Sequence, residues 1–412
     1  MPSIPASGPE RAGFVSRNAL AARTAVKKAA RHVERAAKRK ALEVLVHAFR
    51  GQQADAVAQT LHDVSRILVI RPNYRIGNAV ISTAAIAPLQ QRFPGATIDY
   101  LATDKTAAVF KGLPLGHVHA LSRSTLRRPW RAFGLLRRLR ASRYDLAVQI
   151  EDGSLTGLLI SRLVGARSTM GKPRGEACWY DVNLREPFQH AYDAAGVLAR
   201  ALGADSPPRP QIALSADEQA RAARRIDALA ASDEPVVALF VGGHADKVCP
   251  FPFWMELARG LNSERRKFMV FIGPEEMKLA PQFEAAMRSL PYGAVCHSLS
   301  LRDFAATLAQ ASVLVTPDSG PMHLAAALRT PIVAMVRTER SLAFIPPCEH
   351  TRTVWGLDVG GVLRAIGEVA RPRLRPQPQP ADLVQARPDA ERPTGAAPLG
   401  SATSPVPLAS SA

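Results

Sequence analysis

The sequence predicts an α/β protein built on parallel, doubly wound sheets, and three observations carry that expectation. First, short β-branched apolar runs alternate with Ala- and Leu-rich stretches between residues 66 and 370, the βαβ rhythm of parallel strands joined by helices. Second, residues 312–336, SVLVTPDSGPMHLAAALRTPIVAMV, read as strand, turn, helix and strand in succession. Third, the composition is 47% hydrophobic and 21% charged, which is ordinary for a soluble globular chain. At 412 residues there is room for two domains and a tail.

In order along the chain, residues 1–62 form a basic extension with 11 Lys and Arg against four acids. Val26, Ala29, Ala30, Val33, Ala36 and Ala37 recur there at helical spacing. Such a helix either rests on an anionic bilayer, shallowly because its apolar face is mostly alanine, or is a solvated charged helix without a partner. Ile67–Ile70 is the first buried strand, Arg71–Asn78 a turn-rich loop and Ala79–Phe93 a helix broken by Pro94-Gly95. Strands follow at 96–102, 118–121 and 146–150, with a helix at 155–163. Ser206-Pro207-Pro208-Arg209-Pro210 reads as a linker. Beyond it, strands are expected at 236–241, 268–273, 294–297, 312–316 and 332–336, with helices at 253–261 and 362–370. From Arg371 the Pro-, Ala-, Gln- and Ser-rich tail lacks the apolar content for a core and reads as disordered.

The turn Thr316-Pro317-Asp318-Ser319-Gly320 is the most informative local feature. Pro321 suits a first helical position, so Gly320, Met322 and His323 fall at a helix N-terminus on the carboxyl end of a parallel strand. Free N–H groups and the helix dipole make phosphate a natural ligand there, with Asp318 and His323 beside it. The alternative is that Asp318 and Ser319 only cap the helix and His323 is an ordinary satisfied polar residue. Eight arginines lie between Arg123 and Arg143 with no acid among them, interleaved with Trp130 and Phe133. They form either a solvated helix face or an anion-binding surface suited to the planar guanidinium.

A net charge of +18 points to an anionic partner: nucleic acid, an acidic membrane surface or a phosphorylated substrate. Nucleic acid is disfavoured because the charge concentrates in the extension and one later segment. Cys178, Cys249, Cys296 and Cys348 are far apart, with no CxxC pair, which argues against zinc and disulfide frameworks and for a reducing compartment. No apolar run is long enough to span a bilayer, and no signal-peptide core opens the chain. There is no G-x-G-x-x-G and no Asp-x-Asp.

DSGPMHLAAAL closely resembles the C-terminal signature of glycosyltransferase family 9, the family of the ADP-heptose:lipopolysaccharide heptosyltransferases. Five further segments agree in order: ILVIRPNYRIGNAVISTAAIAPLQQRFPGATIDYLA, SRYDLAVQIEDGSLTGLLISRLVGAR, HAYDAAGVLARALG, VVALFVGGHADKVCPFPFWMELA and VFIGPEEMKLA. The resemblance spans residues 64–370 and implies the GT-B fold, two Rossmann-like doubly wound domains facing across a cleft. The implied divisions are the basic extension over 1–62, an acceptor domain over 63–208, a nucleotide-sugar domain over 209–345, a C-terminal helix region over 346–371 and the tail over 372–412.

The resemblance also implies roles. Asp318, Ser319, Gly320, Met322 and His323 fall on the family's diphosphate turn, and Lys247 on a lysine at the sugar diphosphate. Gly242 and Gly243 would let backbone N–H groups approach phosphate, and Glu276 matches an acid that accepts hydrogen bonds from the nucleoside. Arg127, Arg128 and Arg131 lie in the acceptor-facing basic segment. The implied reaction is metal-independent transfer of a sugar, most readily heptose from ADP-heptose, to a lipopolysaccharide-type acceptor. It requires no cofactor, and the implied location is the cytoplasm at the inner face of a bacterial membrane.

Two positions depart from the family pattern. The glycine loop ends Gly77-Asn78 where the family has Gly-Asp, its presumed catalytic base, and a carboxamide accepts no proton at neutral pH. Asn78 would then orient the acceptor while Asp152 or Glu151 serves as base, or leaving-group departure would dominate, or the protein would bind without turnover. After Val336, Arg337-Thr338-Glu339-Arg340 replaces the family's glycine- and proline-rich turn.

Overall fold

The computed structural model describes residue 40 and residues 61–372, except 123, 126, 127, 152, 153, 174–177, 206, 207, 232 and 298. Most of the basic extension, the tail beyond 372, Arg127 and Asp152 therefore lie outside the described residues.

Two six-stranded sheets are present, and every strand pair in them is parallel. The first holds β1 (Arg66–Ile70), β2 (Thr97–Thr103), β3 (Val118–Leu121), β4 (Leu146–Gln149), β5 (Ser168–Gly171) and β6 (Val182–Asn183) in the order 3-2-1-4-5-6. The second holds β7 (Val236–Phe240), β8 (Lys267–Ile272), β9 (Gly293–His297), β10 (Val313–Pro317), β11 (Ile332–Val336) and β12 (Thr351–Trp355) in the order 9-8-7-10-11-12. Counted within each half, the two orders are identical, and both are the doubly wound dinucleotide-fold order. Each sheet has one switch point, between β1 and β4 in the first and between β7 and β10 in the second, where crossovers leave in opposite directions and open a crevice.

The helices that frame these crevices follow from local sequence. α1 (Ile76–Ser82) starts three residues before the expected Ala79 and does not continue unbroken to Phe93. A 3-10 turn at Thr83–Ala85 separates it from α2 (Ile86–Arg92). Ser82 and Thr83 both turn their hydroxyls back on the helix, to the Ala79 and Val80 carbonyls at 2.6 and 2.7 Å, the back-bonding that bends a helix. α3 (Pro129–Ala141) carries the arginine run and α4 (Leu155–Val164) is capped by Ser154. α5 (Asp193–Leu202) ends the first half, and α6 (Ala216–Asp227) begins in a Ser215/Glu218 capping box.

In the second half α7 (Phe251–Ser263), α8 (Ala280–Met287), α9 (Leu301–Ala309), α10 (Gly320–Leu328) and α11 (Val359–Val369) cover the sheet. Residues 346–371, which the sequence sets apart, supply the edge strand β12 and the helix α11, which packs on α7 and on β10 to β12.

The two halves share a core. One apolar cluster runs from Ile67, Val80, Ile86 and Val148 through Met322, Leu324 and Ala325 to Leu314 and Ile332. The seam also carries a polar tie. Arg302 of α9 forms an ion pair with Glu218 at 2.6 Å and donates to the Ala213 carbonyl, and it reaches the Ala108 and Lys111 carbonyls of the first half at 3.5 Å. That guanidinium holds the Glu218 carboxyl down at about 2. Among the described residues no helix is long and apolar enough to cross a membrane.

Candidate functional site

The candidate residues gather at the two switch points. On the second sheet, the loop after β7 holds Gly242, Gly243 and, in a short 3-10 turn, Lys247. The loop after β10 holds Asp318 and Ser319. Lys247 and Asp318 meet in an ion pair across the crevice, with the carboxylate 7% exposed and the amine 28% exposed. The ammonium also stands 5.4 Å from the Phe344 ring centroid. Ser319 is the N-cap of α10 but makes no side-chain cap bond; its hydroxyl pairs instead with Thr316 at 2.8 Å. The first turn of this nine-residue helix therefore has no side-chain cap.

The glycine turn packs closely on Glu276. A Cβ on Gly242 would lie 2.8 Å from Glu276 Cδ and 2.6 Å from the Phe240 ring, and a Cβ on Gly273 would lie 2.6 Å from Glu276 Oε2. The Gly243 N–H bonds the Glu276 carboxylate, and burial together with Glu275 pushes its pKa up. These glycines therefore make room for Glu276, and the Gly243 amide is already engaged. Met322 is fully buried in the shared core and its N–H donates to the Ser319 carbonyl at 3.2 Å, so its side chain offers nothing to a ligand.

His323 is 4% exposed and faces the other half of the molecule. Its Nδ1 lies 2.9 Å from the Tyr192 hydroxyl, and its ring covers Gly77, where a Cβ would come within 2.4 Å of Cδ2. Burial holds the imidazole down at about 4, so it is neutral at physiological pH. His323 is a contact between α1 and α10, and a cationic phosphate ligand is not its state here.

On the first sheet, the β1–α1 loop is stapled in place. The Thr103 and Thr106 hydroxyls donate to the Asn73 carbonyl at 3.1 and 3.2 Å, and the Asn73 side chain accepts from the Arg75 N–H at 2.8 Å. Glu151, just beyond β4, is joined to this loop by Asn73 Nδ2 at 3.4 Å, while Arg71 donates to the neighbouring Ile150 carbonyl. Asn78 sits half-buried in the first turn of α1, and its amide bonds no described residue. Because Gly77 touches Gly320 and His323, the first turn of α1, which bears Asn78, and the loop bearing Asp318 converge at one place. Arg128 and Arg131 are exposed at the start of α3, at the carboxyl edge of the first sheet. The contacts that Tyr192 and Arg302 make across the seam are not legible in the sequence, and neither is the Arg302–Glu218 pair within the second half. Among the described residues no cluster of His, Cys, Asp and Glu is arranged to hold a metal ion.

The profile of glycosyltransferase family 9 (heptosyltransferase) matches residues 132–361, more than half of the chain. The chain belongs to glycosyltransferase family 9. Lipopolysaccharide heptosyltransferase 2 of Escherichia coli K12 is 26% identical over 322 residues, covering 72% of this chain and 89% of that protein. A family 9 glycosyltransferase structure from Veillonella parvula DSM 2008 superposes with a TM-score of 0.66 at 17% identity, covering 75% of this chain and 98% of its own. An E. coli heptosyltransferase solved with ADP-2-deoxy-2-fluoro heptose gives 0.59 at 20% identity, covering 74% and 100%. The resemblance read from the motifs is thus borne out, and the paired sheets are the two halves of a GT-B fold.

Proposed function

We propose that this family 9 member is a metal-independent, inverting glycosyltransferase that moves heptose from ADP-heptose to a sugar hydroxyl of a lipopolysaccharide core. The observation that carries this reading is the convergence of two switch points. One offers a lysine and an open helix N-terminus; the other offers a carboxylate and an amide.

In the reading, the donor diphosphate takes over Lys247 from Asp318 and lies against the first turn of α10 at Ser319 and Gly320. Glu276, in its glycine cradle, accepts hydrogen bonds from the nucleoside. The acceptor hydroxyl attacks the anomeric carbon on the face opposite the diphosphate, and the carbon–oxygen bond to phosphate breaks. The charge that develops on departing ADP is stabilised by Lys247 and the helix dipole. Asn78 orients the acceptor, and its proton passes to Glu151 or Asp152. Arg127, Arg128 and Arg131 receive acidic groups of the acceptor, a phosphorylated glycolipid at the inner leaflet of the membrane.

Asn78 favours a second reading, a nucleotide-sugar-binding protein without turnover. The deciding experiment incubates the protein with ADP-heptose and a heptose-deficient lipopolysaccharide core and follows the acceptor by mass spectrometry. Addition of one heptose supports transfer. Donor binding without any mass gain makes the binding reading correct, and absence of donor binding removes both.

A further inference from the structure

α3 carries a feature that sugar transfer does not use. Its inner face is ordinary: Leu135 and Leu139 are buried against Leu68 and Ile70 of β1. Its outer face is not. Trp130 and Phe133 are 69% and 68% exposed, the two most exposed large hydrophobic side chains among the described residues. At about 100° per residue, Trp130, Phe133 and Arg137 fall within about 60° of arc on the solvent side. Arg131 and Arg138 border one flank of this sector, and both are exposed. Among the described residues no carboxylate pairs with Arg128, Arg131, Arg137 or Arg138.

We propose that this face of α3 is a membrane-docking surface, with Trp130 and Phe133 entering the headgroup layer of an anionic phospholipid bilayer. Indole and phenyl rings settle at that level, where an apolar body and a wet surrounding are both accommodated. The arginines reach lipid phosphates from long, flexible stems that lie along the aromatic surface. The helix is convex and has no groove along which a nucleic-acid strand could track, which sets it apart from aromatic and basic channels for single strands.

Position adds a reason. The first turn of α3 leaves the β3–α3 loop at the carboxyl edge of the first sheet, the edge that also carries the loops of Asn78 and Glu151. A bilayer beneath Trp130 brings lipid-borne groups to that edge. The proposal does not depend on which sugar is transferred or on transfer occurring at all.

The test is flotation of the full chain with vesicles of phosphatidylethanolamine and phosphatidylglycerol, and with phosphatidylcholine alone. No lipopolysaccharide is added, so failure here is distinct from failure of the glycosyltransferase reading. Trp130→Ser/Phe133→Ser should lower partitioning on the anionic vesicles about tenfold or more, with an unchanged melting temperature because both side chains are exposed. Arg137→Gln/Arg138→Gln should lower it about fivefold per arginine on anionic vesicles only. Brominated lipid should quench wild-type fluorescence more than that of Trp130→Phe. Equal flotation of wild type and the aromatic variant overturns the proposal. So does failure of the wild type to float, or loss in the same variants of binding to single-stranded RNA while vesicle binding is unaffected.

Discussion

The two sheets have the same strand order and open a crevice at the same place, yet they present opposite chemistry there. The second half carries an ion pair, Lys247–Asp318, beside the first turn of a nine-residue helix. The first half carries Asn73 on a loop fixed by Thr103 and Thr106, Asn78 in the first turn of α1, and Glu151 just beyond β4. Topology therefore places the crevices, and in the proposed reaction a few side chains decide which one takes a charged leaving group and which takes a hydroxyl. In that proposal the donor side is built around a cation, Lys247, whose carboxylate partner the donor's diphosphate replaces. The acceptor side is built around rigid hydrogen-bonding groups beside one acid.

The sharpest test of this division acts on the acceptor side. Glu151→Gln should lower kcat about 10²–10⁴-fold with donor affinity unchanged, and Asn78→Asp should preserve or raise turnover. Wild-type turnover in both Glu151→Gln and Asp152→Asn would leave the first crevice without a base and shift the weight to leaving-group departure.

Next in size is the seam between the halves. The unfolded chain protonates His323 near its ordinary 6.5, while the folded chain resists until about 4. The unfolded state therefore binds more protons in that interval, and stability falls as pH drops through it, by about 3 kcal/mol in all. Glu218 adds its acid loss chiefly below its ordinary 4.5, while Glu276, raised above its ordinary 4.5, binds its proton first in the folded chain and opposes the loss above that pH, so the His323 contribution is the difference between wild type and a His323 variant. Chemical denaturation across the His323 interval should show the slope in wild type and a flatter curve in His323→Gln. Parallel curves would mean the imidazole is already charged in the fold.

On the donor side, Lys247→Ala should weaken ADP-heptose binding about ten- to a hundredfold by calorimetry, the loss of a charge-assisted phosphate contact. Equal affinity would remove Lys247 from the site. The smallest effect concerns the contact between crevices. Gly77→Ala should cost about 1–3 kcal/mol of stability by overpacking against the His323 ring. Gly77→Ala/His323→Ala should cost less than the sum of its single changes, and strict additivity would show that the two residues do not touch.

What the sequence reveals of this arrangement follows burial. The strand at 332–336 matches residue for residue and the inner strands agree to within one or two positions, because continuous apolar runs mark strands covered on both faces; the edge strand at 118–121 also matches, although Val-His-Ala-Leu is only partly buried. The strands that escape notice lie towards the sheet edges. β5 is Ser-Thr-Met-Gly, β6 is two residues long, and β12 has Arg352, Thr353 and Trp355 exposed. None of these offers a periodic apolar signal. Lys247, Glu276 and Asp318 are legible because each follows a strand end by a few residues. Their partners are not, because the meeting of Lys247 with Asp318, or of Glu276 with Gly273, depends on how neighbouring strands line up. The close packing of Gly242 on Glu276 is hidden for the same reason.

The apolar cluster that passes unbroken between the halves constrains how this molecule is to be taken apart. Severing the chain after residue 208 would leave Val80 and Ile86 on one fragment facing water, and Met322, Leu324 and Ala325 on the other. Each piece would carry a raw apolar face, and Arg302 would keep Glu218 but lose the Ala108 and Lys111 carbonyls of the first half. Although each half has a complete sheet, the smallest portable unit is the pair, and a chimera between relatives would have to exchange both sides of the seam together.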